Sequence, residues 1–401
     1  MSEWKKVKLG EICERVTSGG TPKANVSSYY NPPTIPWLKT KEVNYCRITE
    51  TENYISEEGL KNSSAKLISP NSVIIAMYGQ GDTAGRIAIN KIPLATNQAC
   101  CNLTIDKSKA DYEFIYYQLC TLYDKLVSLK AGAAQPNLNA RIIKNLEIIM
   151  PSLPIQHRIA SILSRYDSLI ENYQKQIKLL EEAAQRLYKE WFIDLHFPGH
   201  ENTNIIDGVP EGWEKKKVNS IIELQSGFAF KSSTFDDNGA YKIVTIKNVK
   251  DGAFDGDNVS RIVAIPEKMP KHCVLADGDI LLSLTGNVGR VCIVNGKNYL
   301  LNQRVAKLAT DFKAFTYCLF RSREMFIEIN NLANGAAQQN VSPIRIGEMK
   351  ILLPNNKLLQ VFESIVFKSI VRIISLQSQL RLLTEARDRL LPKLMSGEIT
   401  I

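Results

Sequence analysis

Hydrophobic and polar positions follow two different patterns along the chain, and both patterns occur twice. Residues 1–154 contain short apolar runs such as "SVIIAM" (72–77), separated by Gly, Pro and Asn, which is typical of short buried strands. From Ile155 to about Phe192 the chain has no Gly or Pro and is rich in Leu, Ile, Glu, Lys and Gln, which are good helix formers. The same succession returns later, with strand-like runs such as "DILLSL" (279–284) and a second uninterrupted stretch from Lys357 to about Leu391.

Both long helical stretches carry apolar residues at alternating three- and four-residue spacings over five heptads, which indicates a coiled coil. Ser369 and Arg387 interrupt the second series, so pairing there is expected to be looser or to involve a partner. The residues predicted to pair are Ile159, Leu163, Tyr166, Ile170, Tyr173, Ile177, Leu180, Leu187, Phe362, Val366, Ile373, Leu376, Leu380, Leu383 and Leu390.

The alternative is that each helix packs separately on its own domain. A helix of about 35 residues is about 50 Å long at 1.5 Å per residue, which exceeds what a domain of this size needs. The length therefore favours pairing of the two helices, and the domain between them most easily lets them run antiparallel.

The predicted fold class is a duplicated α/β (α+β) protein. It has two globular domains separated by two long antiparallel helices that form an intrachain coiled coil with a pseudo-twofold axis. The predicted segments are a first domain at 1–154, a first long helix at 155–195, a linker at 196–212, a second domain at 213–356, and a second long helix with its tail at 357–401.

Recurring short motifs support the duplication independently of the helices. "GAAQPNL" (132–138) returns as "GAAQQNV" (335–341), and "GDTAGRIAI" (81–89) returns as "TGNVGRVCI" (285–293). Identity between the copies is low, but the order of these landmarks is kept, so the chain is predicted to be two copies of one plan.

Composition narrows the functional class only moderately. The chain is 44% hydrophobic and 23% charged, as expected of a folded protein, and its formal net charge of +9 makes nucleic acid a reasonable partner. Its eight cysteines include no C-x-x-C pair, which predicts reduced, mostly buried thiols and neither a disulfide nor a metal site. No apolar signal core opens the chain and no run of about 18 apolar residues occurs, so we expect a cytoplasmic protein without a membrane partner.

The motifs of common enzyme chemistries are missing from the sequence. There is no phosphate-binding loop G-x-x-x-x-G-K-[ST], no G-x-S-x-G nucleophile elbow, and no ligand spacing among the four histidines. "YYNPPTIPW" (29–37) is similar to the Asn-Pro-Pro-aromatic motif of adenine methyltransferases, but its fourth position is Thr34, so we interpret it as a Pro-rich turn. The sequence predicts no catalytic residue and no metal, and favours a binding protein.

Polar residues on Gly-containing turns between the predicted strands are the candidates for DNA contact. Arg and Lys suit the guanine edge, Asn and Gln suit the adenine edge, and Ser, Thr and Lys suit phosphates. The first copy offers Ser18, Thr21, Lys23, Lys39, Lys41, Arg86, Asn97, Gln98, Gln135 and Asn137. The second offers Ser226, Lys231, Ser232, Lys247, Asn248, Thr285, Asn287, Arg290, Asn302, Gln303, Arg304, Gln338, Gln339 and Asn340. Each of them could instead satisfy backbone groups in a turn.

Several segments, in this order on the duplicated frame, resemble the specificity subunit of type I restriction–modification enzymes over essentially the full chain. They are "WKKVKLGEI" (4–12), "PIQHRIASIL" (154–163), "LYKEWFIDLHFPG" (187–199), "SGFAFKSSTF" (226–235) and "RDRLLPKLMSGEI" (387–399).

The resemblance implies two target-recognition domains that each read one half of an asymmetric two-part DNA site. The helices would act as a ruler and dock two methyltransferase subunits, and about 50 Å corresponds to about 15 base pairs at 3.4 Å each. Cofactors are expected on the partners alone: S-adenosylmethionine on the methyltransferases, which act on adenine N6, and ATP and Mg on restriction (motor-nuclease) subunits.

Other classes remain as alternatives at this stage. The chain could be the recognition arm of a combined restriction–modification enzyme, a coiled-coil scaffold that binds protein and no DNA, or an enzyme with an unfamiliar site. DNA binding must weaken steeply with ionic strength, which separates it from protein scaffolding.

Overall fold

The computed structural model describes residues 4–79, 81–130, 137–257, 259–333 and 339–401. The chain divides into two compact units. Unit 1 comprises Met1–Leu169 with Thr384–Ile401, and unit 2 comprises Ile170–Leu383. Both units mix short strands with helices, so the predicted duplicated α/β fold class is confirmed.

Unit 1 is built from short strands followed by helices. Its strands are β1 Lys5–Lys8, β2 Cys13–Ser18, β3 Ile35–Leu38, β4 Cys46–Ile48, β5 Tyr54–Ile55, β6 Leu67–Ile68, β7 Val73–Ala76, β8 Ile87–Asn90, β9 Leu94–Thr96, β10 Cys100–Ile105 and β11 Glu147–Met150. Its helices are α1 Glu57–Lys61, α2 Tyr112–Thr121, α3 Tyr123–Ser128, α4 Ala140–Lys144 and the beginning of the long helix α5 Leu153–Tyr188.

Unit 2 repeats this order. Its strands are β12 Ile205–Ile206, β13 Val209–Pro210, β14 Glu214–Lys217, β15 Glu223–Ser226, β16 Tyr241–Val244, β17 Ser260–Ile262, β18 Val274–Leu275, β19 Ile280–Ser283, β20 Val291–Ile293, β21 Tyr299–Leu301, β22 Val305–Ala309 and β23 Lys350–Leu353. Its helices are α6 Lys313–Arg321, α7 Arg323–Ala333, α8 Pro343–Gly347 and most of the long helix α9 Asn356–Ser396.

The sheets of the two units have matching topology. In unit 1 one sheet has the order β2-β10-β7-β8-β4 and another the order β5-β3-β9-β6; in unit 2 the corresponding orders are β15-β22-β19-β20 and β17-β16-β21-β18. The central pair of the second sheet is parallel in both units, β3 with β9 and β16 with β21. Strands β7 and β19 are buried along their whole length, which explains their continuous apolar runs. The chain therefore contains the same sheet arrangement twice.

The long helices pair antiparallel in each unit. In unit 1, Ile159 and Leu163 of α5 share a core with Leu394 and Met395 of α9. In unit 2, the ring of Phe362 near the start of α9 lies 6.2 Å from that of Tyr188 near the end of α5. All the predicted helix-pairing residues are buried or half-buried. At the interrupted position Ser369 is half-buried, and its neighbour Ile370 fills the core instead, 3% exposed.

The second long helix continues beyond Leu391, where the stretch without Gly or Pro ends. Pro392 lies inside α9, which continues to Ser396 and ends before Gly397, a residue with φ of +76°. A glycine in the left-handed region is a common helix terminator, and it ends this helix rather than the proline. The predicted domain boundaries stay a prediction, since each compact unit includes parts of both long helices.

A buried ionic network in unit 1 explains the other heptad interruption. Arg387 of α9 donates to Asp167 of α5 at 2.9 Å, and Arg47 donates to the same carboxylate at 2.9 Å. Tyr117 of α2 also donates to Asp167, at 2.5 Å. The side chains of Arg47 and Asp167 are only 8% and 7% exposed. Arg387 therefore contacts an acidic residue of the same chain, which joins both long helices to the sheet domain.

Unit 2 contains a network of the same chemistry. Tyr317 of α6 donates to Glu181 of α5 at 2.7 Å, and Arg321 lies 3.5 Å from the same carboxylate and pairs with Asp251. Burial raises the pKa of Glu181, and the hydrogen bond from Tyr317 and the charge of Arg321 offset this only partly. In each unit a tyrosine and an arginine of the sheet domain thus contact one carboxylate on a long helix.

Candidate nucleic-acid interface

The candidate residues of unit 1 collect at one end of the larger sheet, which we call the polar end. Ser18 at the end of β2 lies opposite Cys101, and Cys100 at the start of β10 lies opposite Ala76 at the end of β7. The amide of Ala76 donates to the carbonyl of Arg86 at 2.9 Å. The register therefore aligns Ser18, the turn before Cys100 and Arg86 along a single end of this sheet.

The second sheet joins the polar end through the turn at Asn97 and Gln98. The amide of Asn97 donates to the carbonyl of Leu38, the last residue of β3, at 2.9 Å. The chain beyond β3 carries Lys39, whose Nζ donates to Asn53 at 3.0 Å, and the exposed Lys41. On the other side of the turn, Thr21 hydrogen-bonds to Gln98. Residues from both sheets thus meet at this turn.

The last residue of each GAAQ repeat motif contacts the same region. The amide of Leu138 donates to the carbonyl of Met77 just beyond β7, at 3.0 Å, and the amide of Val341 donates to the carbonyl of Leu284 just beyond β19, at 2.9 Å. Each repeat motif therefore ends with the same backbone contact to the strand of its own unit. Gln135 and Gln338, the glutamines at the fourth position of these motifs, lie outside the described residues.

Unit 2 has an equivalent polar end. Ser226 at the end of β15 lies opposite Ala306, and Val305 lies opposite Ser283 at the end of β19. The amide of Ser283 donates to the carbonyl of Arg290 at 2.9 Å, and the amide of Asn302 donates to Val244 at 3.1 Å. The chain beyond Val244 carries the exposed Lys247. These are the backbone contacts seen in unit 1, made by the equivalent residues of unit 2.

Glycine is required where the first strand of each polar end approaches the central turn. A Cβ added to Gly19 would overlap the carbonyl of Thr96, and one added to Gly227 would overlap the carbonyl of Asn302. The amide of Gly227 donates to Val305 at 3.2 Å and that of Phe228 to Leu301 at 2.9 Å. The close approach at Gly227 therefore fixes the position of the Asn302–Gln303 turn.

The interior position of Asn248 corrects one DNA-contact prediction. Asn248 is 1% exposed, its Oδ1 accepts from the amide of Thr245 at 2.8 Å, and its Nδ2 donates to the carbonyl of Asp255 at 2.9 Å. Its amide closes a turn and cannot reach a base. Thr285 is also buried, 6% exposed, and donates to Asn340 at 2.8 Å, so its hydroxyl positions Asn340 rather than facing DNA.

The remaining candidates differ in accessibility. Half-buried at or near the polar ends are Ser18, Lys39, Arg86, Asn97, Asn137, Arg290 and Asn302. Exposed are Thr21, Lys23, Lys41, Gln98, Ser226, Lys231, Ser232, Lys247, Asn287, Gln303, Arg304, Gln339 and Asn340. Lys23, Lys231 and Ser232 lie farther along the chain from the first strands, and Ser232 begins a short 3-10 helix, Ser232–Thr234. The accessible residues are cationic, amide or hydroxyl groups, which can donate to phosphates and to base edges.

The sequence reasoning missed two residues that contact Arg86. Its guanidinium donates to Asp82 at 2.5 Å and to Asn44 at 2.9 Å. The hydrogen bond and charge of Arg86 lower the pKa of Asp82, which therefore stays ionised at neutral pH. The spacing of Asp82 and Arg86, four residues apart within "GDTAGRIAI", was the available signal.

The thiols of unit 1 are buried or half-buried. Burial raises the pKa of Cys13 and of Cys101 to about 12, so both are protonated at neutral pH. Among the described residues, no group of three or more His, Cys, Asp and Glu side chains could hold a metal ion. In that same part of the chain no helix is both long and apolar enough to cross a bilayer.

Comparison with known proteins identifies the family. The family model described as "Type I restriction modification DNA specificity domain" matches residues 1–182 and again residues 210–381. The MjaIX specificity subunit of Methanocaldococcus jannaschii is 30% identical over 417 residues, covering 100% of this chain and 94% of the relative. The MjaVIII specificity subunit of the same organism is 27% identical over 420 residues, with 100% and 93% covered.

A solved structure gives the same result for the fold. The type I restriction–modification S subunit of M. genitalium superposes with a TM-score of 0.66 at 18% identity, over 98% of this chain and 96% of that one. The resemblance recognised in the sequence is thereby confirmed, and the chain belongs to the DNA specificity subunits of type I restriction–modification systems, with the family's specificity domain present twice.

Proposed function

We propose that this chain directs adenine-N6 methyltransferase and motor-nuclease subunits to an asymmetric DNA site in two parts, one part read by each polar end. The observation that carries the proposal is the duplicated polar end: the same strand ends and backbone contacts recur in both units, and some of their side chains are shared while others differ. Asn97 and Gln98 of unit 1 recur as Asn302 and Gln303 in unit 2, but the next residue differs, Ala99 in unit 1 and Arg304 in unit 2. Different side chains on one scaffold support two half-sites of different sequence.

The chemistry of the complex is proposed to lie on the partners. S-adenosylmethionine would bind the methyltransferase subunits, and ATP and Mg would serve the motor-nuclease subunits. This chain would contribute recognition, and two methyltransferase subunits would dock on its long helices. The net charge of +9 supports a DNA partner, because cationic side chains supply affinity for phosphates.

Reconstitution tests the proposal directly. The purified chain is combined with the methyltransferase subunit from the same system, and methyl transfer from labelled S-adenosylmethionine to genomic DNA is measured. Transfer that requires both proteins supports the proposal. Transfer by the methyltransferase alone, at the same sites and rate, would refute it, as would DNA binding by the complex that does not weaken with salt.

The ruler function gives a separate prediction. Removal of one heptad from both long helices at facing positions, residues 173–179 and 369–375, should shorten the gap between the half-sites. In the middle of these segments, a guanidinium nitrogen of Arg372 lies 3.4 Å from the side-chain oxygen of Gln176. The two deletions therefore remove helical turns that face each other. Seven residues at 1.5 Å shorten each helix by about 10 Å, or about three base pairs.

Mapping of the methylated motif measures the gap. The single deletions are the controls, because removal of a heptad from only one helix breaks the pairing and is expected to abolish methylation. A double deletion that remains active with an unchanged gap would contradict the ruler function.

A further inference from the structure

The two copies place an arginine at the same point of the polar end. Arg86 and Arg290 each follow a glycine in the left-handed region, Gly85 with φ of +93° and Gly289 with φ of +85°. The carbonyl of each arginine accepts from the end of the neighbouring strand at 2.9 Å, from Ala76 in unit 1 and from Ser283 in unit 2. The backbones around the two arginines are therefore equivalent.

The turns that carry the arginines are also supported in the same way. A Cβ on Gly85 would lie 3.3 Å from the ring of Tyr123, and a Cβ on Gly289 would lie 3.1 Å from the ring of Phe326. Each turn is thus covered by an aromatic residue from a helix of its own unit, α3 or α7. Because the supports match, a difference between the arginines must come from their side-chain partners.

Those partners differ. The guanidinium of Arg86 is held by Asp82 and Asn44, at 2.5 and 2.9 Å. Among the described residues, the guanidinium of Arg290 has no hydrogen-bond or ion-pair partner. The contacts of Arg290 are made by its backbone amide and carbonyl, both with Ser283. When "GDTAGR" (81–86) is aligned with "TGNVGR" (285–290), Gly286 takes the position of Asp82. When "KEVN" (41–44) is aligned with "KNVK" (247–250), Lys250 takes the position of Asn44. The second copy therefore lacks the carboxylate.

This difference changes how each arginine interacts with DNA. An arginine and a carboxylate that form an ion pair have no net charge together. Because of this, contact between the pair and a phosphate releases few counterions from the DNA, and it also places the carboxylate near the DNA. An unpaired guanidinium neutralises a phosphate and releases its condensed counterion, which steepens the salt dependence of binding by about 0.9 in log K against log salt. The side chain of Asp82 is 74% exposed, so its charge faces the approaching DNA.

We infer that Arg290 neutralises a phosphate of the half-site read by unit 2, whereas Asp82 prevents Arg86 from doing so at the half-site read by unit 1. The inference rests on the proposed function. Asp82 then determines, through its ion pair with Arg86, that the half-site read by unit 1 lacks this phosphate contact.

The test uses the complex with its methyltransferase subunits and a duplex that carries the methylated motif. Affinity is measured between about 50 and 200 mM salt, where a change of 0.9 in slope is about 3.5-fold in affinity. R290Q should flatten the slope by about 0.9. D82N should steepen the slope by about 0.9, and the double variant D82N/R86Q should return it to the wild-type value.

Introduction of a carboxylate at the equivalent position of the second copy provides a reciprocal test. Gly286 has φ of +72° with ordinary space around a Cβ, 3.4 Å from Ile246, and Asp and Asn tolerate this region better than other residues. G286D should flatten the slope as R290Q does. G286N has the same shape without the charge and should keep the wild-type slope.

Several results would overturn the inference. Equal changes in slope for D82N/R86Q and R290Q would do so, as would no change for D82N in a complex with wild-type thermal stability. If the glycine variants fail to fold, D82N, D82N/R86Q and R290Q still decide the question, since they alter side chains and leave the glycines of the turns in place. Failure of the proposed function is distinguishable, because the wild-type complex itself would then show no salt-dependent preference for its motif.

Discussion

Replacement of Asp167 by alanine is expected to lower the free energy of unfolding of unit 1 by about 3–5 kcal/mol, the range found when one partner of a buried ion pair is removed. Asp167 accepts from Arg47, Arg387 and Tyr117, and the Arg47 side chain is only 8% exposed. Without the carboxylate, Arg47 keeps Glu113 and Arg387 keeps Asp388 as a partner, but the buried hydroxyl of Tyr117 loses its acceptor and both guanidinium groups lose a buried one. Denaturant unfolding of the variant and the wild type measures the difference.

The Glu182→Ala variant, on the same long helix α5, is a matched control for the unfolding measurement. Glu182 makes an exposed pair with Lys178 at 3.9 Å, and loss of such a pair changes stability by less than about 1 kcal/mol. An equally small effect for Asp167→Ala would contradict the role of the network in joining the helices to the sheet domain.

The same carboxylate predicts a pH dependence. Burial would raise the pKa of Asp167, but hydrogen bonds from Tyr117 and Arg387 and the charge of Arg47 outweigh it and hold the pKa below its ordinary value of 3.8. A carboxyl whose pKa is lower in the folded state stabilises the fold above the unfolded-state pKa and loses this effect as pH falls through the folded-state pKa. The stability difference between wild type and the Asp167→Asn variant should therefore be constant near neutral pH and shrink below about pH 3.8.

Replacement of Gly227 by alanine is expected to remove selectivity for the half-site read by unit 2. The new Cβ would lie closer to the carbonyl of Asn302 than 3.0 Å, a separation that real Cβ atoms essentially never show. Backbone must move to relieve the overlap, at a cost of about 1–3 kcal/mol. The movement displaces the turn that carries Asn302 and Gln303. Binding to duplexes altered in one half-site at a time measures the selectivity.

The control for this prediction is Gly208 to alanine, in the turn between β12 and β13. Gly208 has φ of +74° but no atom within 4 Å of the added Cβ, so the substitution costs about 1–2 kcal/mol of backbone strain without overlap. Selectivity for both half-sites should persist in this variant. A Gly227 variant that discriminates between the half-sites as well as the Gly208 variant does would show that the Asn302 turn does not read DNA.

The repeated pattern made the duplication and the long helices predictable from the sequence, because heptads and strand runs are local signals. The Arg387 interruption illustrates the limit. Its partner Asp167 lies far away in the sequence, and Arg47 reaches the same carboxylate from a third segment. Such a network depends on tertiary packing, so periodicity alone could show only that the heptad is broken. A proline likewise does not mark the end of this helix, since α9 runs through Pro392 and ends before Gly397.

The sequence indicated where the candidate residues lie better than it indicated which of their side chains are exposed. Gly-containing turns between strands marked both polar ends, and the register then brought Ser18, the Asn97 turn and Arg86 together. Residue type could not distinguish Asn248, whose amide faces inward, from the exposed Asn287. Which way an amide points is decided by the turn that surrounds it, and the sequence does not specify this.

The central claim is that the two polar ends read two halves of one DNA site, and a genome-wide map of N6-methyladenine tests it most directly. The map is made in the host with the wild-type gene, without the gene, and with the Gly227→Ala variant. The account predicts that one gapped two-part motif loses methylation without the gene, and that the variant loses discrimination in one half of that motif only. Unchanged methylation of every motif, with the partner methyltransferase present and active, would contradict it.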